Sequence, residues 1–262
     1  KDFDSNWVEV FGRACGAYFL SKGFARAVVG HDARLSSPDY QERLAAGLAS
    51  TGVDVVMLGM VSTPVCYFAA KHLGMDAGVM VTASHNPPEF NGFKVIAGPS
   101  TIYGEEIREL YRIMARGEFP QGRGLVSTHV VAPAYVEALS SQARLSRPLT
   151  VVVDGGNGAG GPVTTAVLEA VGARVVPLFC EPDGTFPNHH PDPVVEKNVT
   201  ALVERVKALG ADCGIGLDGD GDRLGVVDET GRLMFGDQLL AIFAREVLAE
   251  NPGATVIGEV KC

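Results

Sequence analysis

Several classes of protein are excluded by what this sequence lacks. It has no apolar stretch of roughly 18 residues, the length that a membrane-spanning helix needs, and its first residues show no basic-then-apolar secretion signal. It also has no run of Lys and Arg, and a net charge of −9 makes it poorly suited to neutralise a nucleic-acid backbone. We therefore expect a cytoplasmic protein with no membrane partner and no nucleic-acid partner.

Cysteine is scarce and scattered. The five cysteines are odd in number, and no two of them form a CxxC pair (Cys15, Cys66, Cys180, Cys213, Cys262). This pattern favours reduced thiols over a disulfide framework or a zinc site. The chain has 262 residues, of which 46% are hydrophobic, so about two globular domains and a cytoplasmic enzyme are expected.

Short β-branched segments alternate with amphipathic helices, which predicts an α/β fold. Strands are predicted in two series, at 25–29, 53–58, 77–81 and 92–96, and then at 149–153, 174–178, 212–217 and 224–228. The Gly- and Pro-rich segment 117–124 separates the two series. We therefore predict tandem three-layer αβα domains with mixed, mostly parallel sheets.

The predicted domain boundaries follow from this alternation. A first domain covers residues 1–122 and a second covers 123–232, the latter opening with a helix over 133–145. Residues 233–262 are predicted to start a third domain, with a helix over 236–250 and a strand over 254–257. Because the third domain stops in mid-element, we expect the chain to be a piece of a longer protein.

A serine follows one of the buried strands, in the segment Val81-Thr-Ala-Ser-His-Asn-Pro-Pro88. The two prolines force a turn, so Ser84 lies on a rigid bend beyond the carboxyl end of a strand, where open α/β sheets place reactive groups. His85 and Lys94 are candidate proton carriers and sources of positive charge. Taken alone, the segment also fits a polar turn that satisfies local backbone groups.

The segment 217–224 carries three carboxylates within a span of five residues (Asp218, Asp220, Asp222). Two intervening glycines let the backbone curl, so that all three carboxylates face one point. Oxygen ligands without His or Cys suit Mg²⁺ or Ca²⁺. An EF-hand is excluded because Arg223 stands where that loop requires glycine, and because the flanks predict strands. Arg223 instead offers a fixed cation for phosphate oxygens.

The glycine-rich segment Val151–Gly161 contains G-x-G-x-x-G and is followed by an acid, Glu181, about 20 residues later. This pattern is typical of dinucleotide sites, but here Asp154 would face the pyrophosphate. We therefore interpret the segment as a tight strand-to-helix turn that shapes a cleft.

Two adjacent histidines, His189 and His190, lie in a proline-rich segment. Neighbouring histidines in a loop are expected to form backbone hydrogen bonds more often than a metal site.

Together, these segments resemble the α-D-phosphohexomutase family, and in particular its bacterial phosphomannomutase/phosphoglucomutase branch. The segment Thr82–Pro87 is similar to the phosphoserine loop of the family, and Asp218–Arg223 is similar to its magnesium loop. Further similar segments are Val29–Ser37, Asn91–Lys94 and Phe186–Pro193.

The resemblance implies a role for each matching residue. Ser84 would carry a phosphoryl group that passes to a hexose phosphate, and it would later take the other phosphoryl group back. Phosphoserine and the acidic segment would bind Mg²⁺ (Ser84, Asp218, Asp220, Asp222). His85 and Lys94 would assist proton transfer or stabilise the transferred group, and Arg223 would steady the phosphoserine. The implied reaction interconverts hexose 1-phosphate and 6-phosphate, of mannose or glucose, through a bound hexose 1,6-bisphosphate.

The resemblance covers the first two domains of a four-domain family and the start of the third. The sugar-recognition loop, the last phosphate-binding loop and the N-terminal Tyr-Asp-Ile-Arg-Gly segment of the family are not found in this sequence. Three alternatives therefore stay open: a phosphoglucosamine mutase, a Mg²⁺-dependent sugar-phosphate phosphatase, and a regulatory module that binds a nucleotide at the glycine-rich segment. The preferred sugar epimer and the oligomeric state are not predicted.

Overall fold

A computed structural model describes residues 3–258 of the chain. The first half forms one six-stranded sheet, with the order β5-β4-β3-β1-β2-β6. Its strands are β1 (Arg26–His31), β2 (Asp54–Met60), β3 (Ala77–Val81), β4 (Phe93–Ala97), β5 (Ser100–Thr101) and β6 (Val126–Thr128). Strands β1, β2, β3 and β6 run parallel, whereas β4 is antiparallel to both of its neighbours. Apolar residues make up all of β3 and Ala27–Gly30 of β1, because both faces of these central strands are covered.

Helices cover the two faces of this sheet. They are α1 (Ser5–Ser21), α2 (Ser37–Ser50), α3 (Thr63–His72) and α4 (Glu105–Arg116). Asp4 caps α1 by accepting a 2.7 Å hydrogen bond from the Trp7 amide, and a proline lies in the first turn of both α2 and α3. One core joins α1, α2 and α4 to the sheet, and a second core lies under α3 on the opposite face.

The second half repeats the layered plan around a five-stranded sheet, with the order β11-β10-β9-β7-β8. Its strands are β7 (Thr150–Asp154), β8 (Arg174–Leu178), β9 (Cys213–Leu217), β10 (Leu224–Asp228) and β11 (Leu233–Met234). Its helices are α5 (Ala132–Ser140), α6 (Gly161–Ala170) and α7 (Thr200–Leu209), and a 3₁₀ turn at Glu196–Val199 precedes α7. A last helix, α8 (Gly236–Glu250), follows the sheet. The prediction of tandem α/β domains with mixed sheets is confirmed, and five of the nine strand pairings in residues 3–258 are parallel.

Five elements differ from the prediction: the short strands β5, β6 and β11 were not predicted, one helix ends earlier, and one predicted strand is not formed. Strand β6 was not predicted, because its three residues are exposed and carry no burial pattern; it joins the first sheet beside β2, although we assign these residues to the second domain. The helix predicted over 133–145 ends at Ser140. The strand predicted over 254–257 is wrong: those residues are exposed, and none of the described strands pairs with them.

The last four residues of the predicted third domain (259–262, with Cys262) lie outside the described residues. The other four cysteines are free thiols. Among the helices of residues 3–258, none combines the length and the apolar character that crossing a bilayer requires.

Candidate active site

Ser84 lies where the two domains meet, on the loop that follows β3. Its backbone adopts a left-handed conformation with φ of 53°, which is uncommon for a residue other than glycine. Its amide donates a 2.8 Å hydrogen bond to the Thr82 hydroxyl. Its own hydroxyl donates a 2.6 Å hydrogen bond to Oδ2 of Asp218 in the second domain. The left-handed turn at Ser84 therefore directs the serine oxygen across the domain junction, towards the carboxylate of Asp218.

The three predicted carboxylates do converge, on the loop between β9 and β10. One oxygen from each lies within 4.8 Å of the others (Asp218, Asp220, Asp222). Asp218 and Asp220 are completely buried, and Asp218 accepts 3.0 Å hydrogen bonds from the amides of Asp222 and Arg223. Oδ1 of Asp220 is buried and has no hydrogen-bond partner. A buried oxygen without a partner, inside a set of three carboxylates, suits a hard divalent cation.

Lys94 reaches the same carboxylates from the first domain. It lies on β4, next to β3, and its Nζ is 2.6 Å from Oδ2 of Asp220 and 2.6 Å from Oδ2 of Asp222. Burial acts to lower the pKa of Lys94, but the charge of Asp220 and the hydrogen bonds to both carboxylates outweigh it and raise the pKa. Lys94 is therefore an ammonium ion over the whole neutral range.

His85 has the opposite electrostatic environment. Its Nδ1 is 3.4 Å from the Ser84 hydroxyl oxygen. Burial and then the positive charge of Arg223 lower the pKa of His85, so the imidazole is neutral at pH 7 and can accept a proton. Ser84, His85 and the three carboxylates therefore come together on loops from both domains. Lys94 reaches the carboxylates from β4, and the charge of Arg223 acts on His85.

The carboxylates of the site titrate unequally. Burial, and then the charge of Asp220, raise the pKa of Asp218 to about 7. For Asp220, burial is outweighed by the charge of Lys94 and by hydrogen bonds from Lys94 and Thr63, so its pKa is lowered. A proton added to the pair near neutral pH therefore goes to Asp218.

The glycine-rich segment packs against the carboxylate loop, as the interpretation of a tight turn requires. A Cβ atom on Gly158 would lie 2.6 Å from the carbonyl oxygen of Gly219, and the Ala159 amide donates a 3.1 Å hydrogen bond to the same oxygen. Asp154 is buried and contacts Nε2 of His189 at 2.9 Å. The carboxylate loop thus covers the glycine-rich segment. A dinucleotide would need this segment to be open to the solvent, so the packing argues against a dinucleotide site.

The histidine pair forms the backbone contact that was predicted. Nδ1 of His189 lies 3.0 Å from the carbonyl oxygen of His190. Burial lowers the pKa of His189, but the hydrogen bonds to Asp154 and to this carbonyl outweigh it, so the pKa is raised. The carboxylate partner was not predicted, because Asp154 lies 35 residues away in the sequence.

Two further residues of the site were missed. Thr63, in the first turn of α3, donates its hydroxyl hydrogen to Oδ2 of Asp220. Arg34, between β1 and α2, is completely buried beneath the Ser84 loop. The only sequence signal for Arg34 is a charged residue three positions after the end of β1, within a segment that resembles the family.

Gly219 allows the two loops to approach each other. A Cβ atom there would lie 2.5 Å from the carbonyl oxygen of Ser84, so we expect Gly219→Ala to separate the loops and to lower the free energy of unfolding by about 1–3 kcal/mol. Urea unfolding measures the change. Gly236→Ala is the matched control, because a Cβ atom there meets nothing within 4 Å. Equal stability of the two variants would contradict the close approach.

The fold and the site define a two-domain α/β protein with a serine and three carboxylates at the domain junction. Residues 1–121 match the family described as phosphoglucomutase/phosphomannomutase, alpha/beta/alpha domain I, and residues 133–231 match its alpha/beta/alpha domain II. The chain belongs to the phosphoglucomutase/phosphomannomutase family, as its motifs predicted.

Individual relatives agree with this assignment. The chain is 44% identical over 251 residues to a phosphomannomutase/phosphoglucomutase of Pseudomonas aeruginosa, covering 96% of the chain and 54% of the relative. It is 42% identical over 254 residues to a phosphoglucomutase of Neisseria meningitidis serogroup B, covering 96% of the chain and 55% of the relative. A crystal structure of a family protein from Burkholderia thailandensis superimposes with a TM-score of 0.96 at 44% identity, over 100% of this chain and 59% of that one. The chain thus spans about half the length of the curated relatives that it matches.

Proposed function

We propose that this chain carries the phosphoserine and metal-binding half of a mutase that interconverts hexose 1-phosphate and hexose 6-phosphate, with mannose or glucose as the sugar. The observation that carries the proposal is the 2.6 Å hydrogen bond from the Ser84 hydroxyl to Asp218, inside a cluster of three carboxylates. The names of the Pseudomonas and Neisseria relatives support the same reaction. The interconversion is proposed for the complete protein, and phosphorylation of Ser84 is proposed for this chain.

The cluster fits a magnesium ion. Asp218, Asp220 and Asp222 supply hard oxygen ligands, the partnerless Oδ1 of Asp220 supplies a buried oxygen in need of a cation, and the Ser84 oxygen adjoins them. Bound there, Mg²⁺ would neutralise charge on the phosphoryl oxygens.

The other residues of the site would serve the transfer of the phosphoryl group between Ser84 and the sugar. The bond between phosphorus and Ser84 Oγ breaks as a bond forms between phosphorus and a sugar hydroxyl oxygen, and the hydroxyl proton goes to a base. We assign that base to His85, which is neutral at pH 7 and lies beside the serine. Lys94 and Arg223 balance the negative charge of the phosphoryl group. In the second half of the reaction Ser84 Oγ accepts the other phosphoryl group, and the proton returns to the sugar oxygen.

The test is peptide mapping of the chain after incubation with glucose 1,6-bisphosphate and Mg²⁺, with a chelator as control. The expected result is phosphate on Ser84 that depends on the metal. No phosphate on a folded chain that binds Mg²⁺ would overturn the proposal. Release of inorganic phosphate at the rate of phosphorylation would instead favour the phosphatase, and faster phosphorylation by glucosamine 1,6-bisphosphate would favour the phosphoglucosamine mutase.

The raised pKa of Asp218 makes Mg²⁺ binding depend on pH. Only the deprotonated carboxylate is a metal ligand, so protons compete below the pKa of about 7 and the competition vanishes above it. We expect the dissociation constant for Mg²⁺ to be about tenfold larger at pH 6 than at pH 8, which means weaker binding at pH 6. Calorimetric titration at both pH values measures the ratio. The ratio should fall towards one in Asp218→Asn, and an unchanged ratio in that variant would contradict the assignment.

A further inference from the structure

The Arg34 side chain uses all of its donors beneath the Ser84 loop. It is completely buried, so it cannot touch a substrate. Its Nη2 donates to the carbonyl oxygens of Ser84 at 2.9 Å and Asn86 at 2.7 Å, and its Nη1 donates to those of Pro87 at 2.6 Å and Phe90 at 3.0 Å. A guanidinium group has five N–H donors, and four of them hold this one loop.

The fifth donor connects Arg34 to the other side of the serine. Nε of Arg34 donates to Oδ2 of Asp32 at 3.1 Å, and the same carboxylate oxygen accepts a 2.8 Å hydrogen bond from the hydroxyl of Thr82. That hydroxyl oxygen in turn accepts the Ser84 amide hydrogen. The buried Arg34–Asp32 pair therefore holds Ser84 at both of its peptide groups, its carbonyl directly and its amide through Thr82.

The second domain closes this network from the other side. The Phe186 ring lies 5.3 Å from the guanidinium carbon of Arg34. Gly184 is packed so closely on the backbone of Ala33 and Arg34 that a Cβ atom would overlap it. The same contact that shields Arg34 from water therefore also docks the domain that carries Asp218.

We propose that Arg34 is a positioning residue for phosphoryl transfer. Acting through the backbone, it holds Ser84 in the left-handed conformation that directs Oγ at Asp218. This inference rests on the proposed function, since it assigns Arg34 to the presentation of the serine in that reaction. Lysine cannot replace Arg34, because three donors on one nitrogen cannot reach four carbonyl groups and a carboxylate.

The experiment is a single-turnover phosphorylation of the chain by glucose 1,6-bisphosphate with Mg²⁺, over a range of bisphosphate concentrations. For Arg34→Ala and Arg34→Lys, we expect the maximal rate to fall at least about 100-fold, while the half-saturating concentration stays within about threefold. Free guanidinium at millimolar concentration should restore part of the rate in Arg34→Ala, whereas ammonium should not. Gln41→Ala is the matched control, because Gln41 is also buried and donates to a backbone carbonyl, but that carbonyl belongs to Val29 on β1 rather than to the Ser84 loop.

Two further measurements keep the inference testable. Thr82→Val retains the shape of the side chain and leaves Arg34 in place, and we expect its maximal rate to fall about tenfold. Hydrogen exchange, which needs no activity, should be faster at the amides of Ser84, Asn86 and Phe90 in Arg34→Lys than in the unmodified chain. If the chain without substitutions does not become phosphorylated in this assay, the proposed function is overturned. A rate in Arg34→Lys equal to that of Gln41→Ala, or unchanged exchange in the loop, would overturn the inference about Arg34.

Discussion

The Ser84→Ala chain is expected to incorporate no phosphate from glucose 1,6-bisphosphate, a loss of at least about 10⁴-fold in rate, because removal of a nucleophile eliminates the covalent step. The physical case rests on position. Ser84 Oγ lies 2.6 Å from Asp218 and 3.4 Å from Nδ1 of His85, so one hydroxyl lies between a buried carboxylate and a neutral base. Phosphopeptide mapping and the incorporation of labelled phosphate measure the loss.

The control for this variant is Ser50→Ala, which removes a serine hydroxyl from the end of α2, where it bonds only a helix carbonyl. We expect its phosphorylation rate to be unchanged. Acid-labile phosphate on His85 in the Ser84→Ala chain would contradict the assignment, since it would identify the imidazole as the nucleophile. Acid-stable phosphate on another hydroxyl would contradict it as well.

The second large effect is expected for Asp220→Asn, which should weaken Mg²⁺ binding by about 100-fold at pH 8, because one ionised ligand becomes a neutral amide. Asp220 presents one oxygen that no protein group within residues 3–258 satisfies. It is completely buried, and its Oδ2 already bonds Lys94 and Thr63, so only Oδ1 is free for a cation. Calorimetric titration gives the affinity, and the Mg²⁺-dependent increase in Tm should be lost at millimolar metal.

Asp228→Asn is the matched control for Asp220. Its carboxylate lies on the same hairpin but bonds Thr230 and the backbone of the turn that follows, outside the cluster. We expect wild-type Mg²⁺ affinity in this variant. Equal affinity in Asp220→Asn and Asp228→Asn would refute the metal site.

The two motifs that these variants test could be predicted from the sequence. The turn at Ser84 and the three carboxylates were found because the decisive residues are neighbours: two prolines follow the serine, and two glycines separate the acids. The central strands were predictable for the same reason, since β3 and the middle of β1 (Ala27–Gly30) are short apolar runs. Strand β6 was missed because it is short and exposed, and only its pairing with β2 makes it a strand.

The sequence by itself thus determined the α/β fold, the family and the chemistry of each motif, because those properties are written in local patterns. The tertiary structure alone decided which motifs meet. The hydrogen bond from Ser84 to Asp218 joins residues 134 positions apart, and the one from Arg34 to Ser84 joins residues 50 positions apart. The tertiary structure also decided the protonation states of Lys94 and His85. Lys94 is held charged by carboxylates of the other domain, and His85 is held neutral by burial and by Arg223. Contacts and desolvation of this kind arise only when distant segments pack together, so no local pattern can encode them.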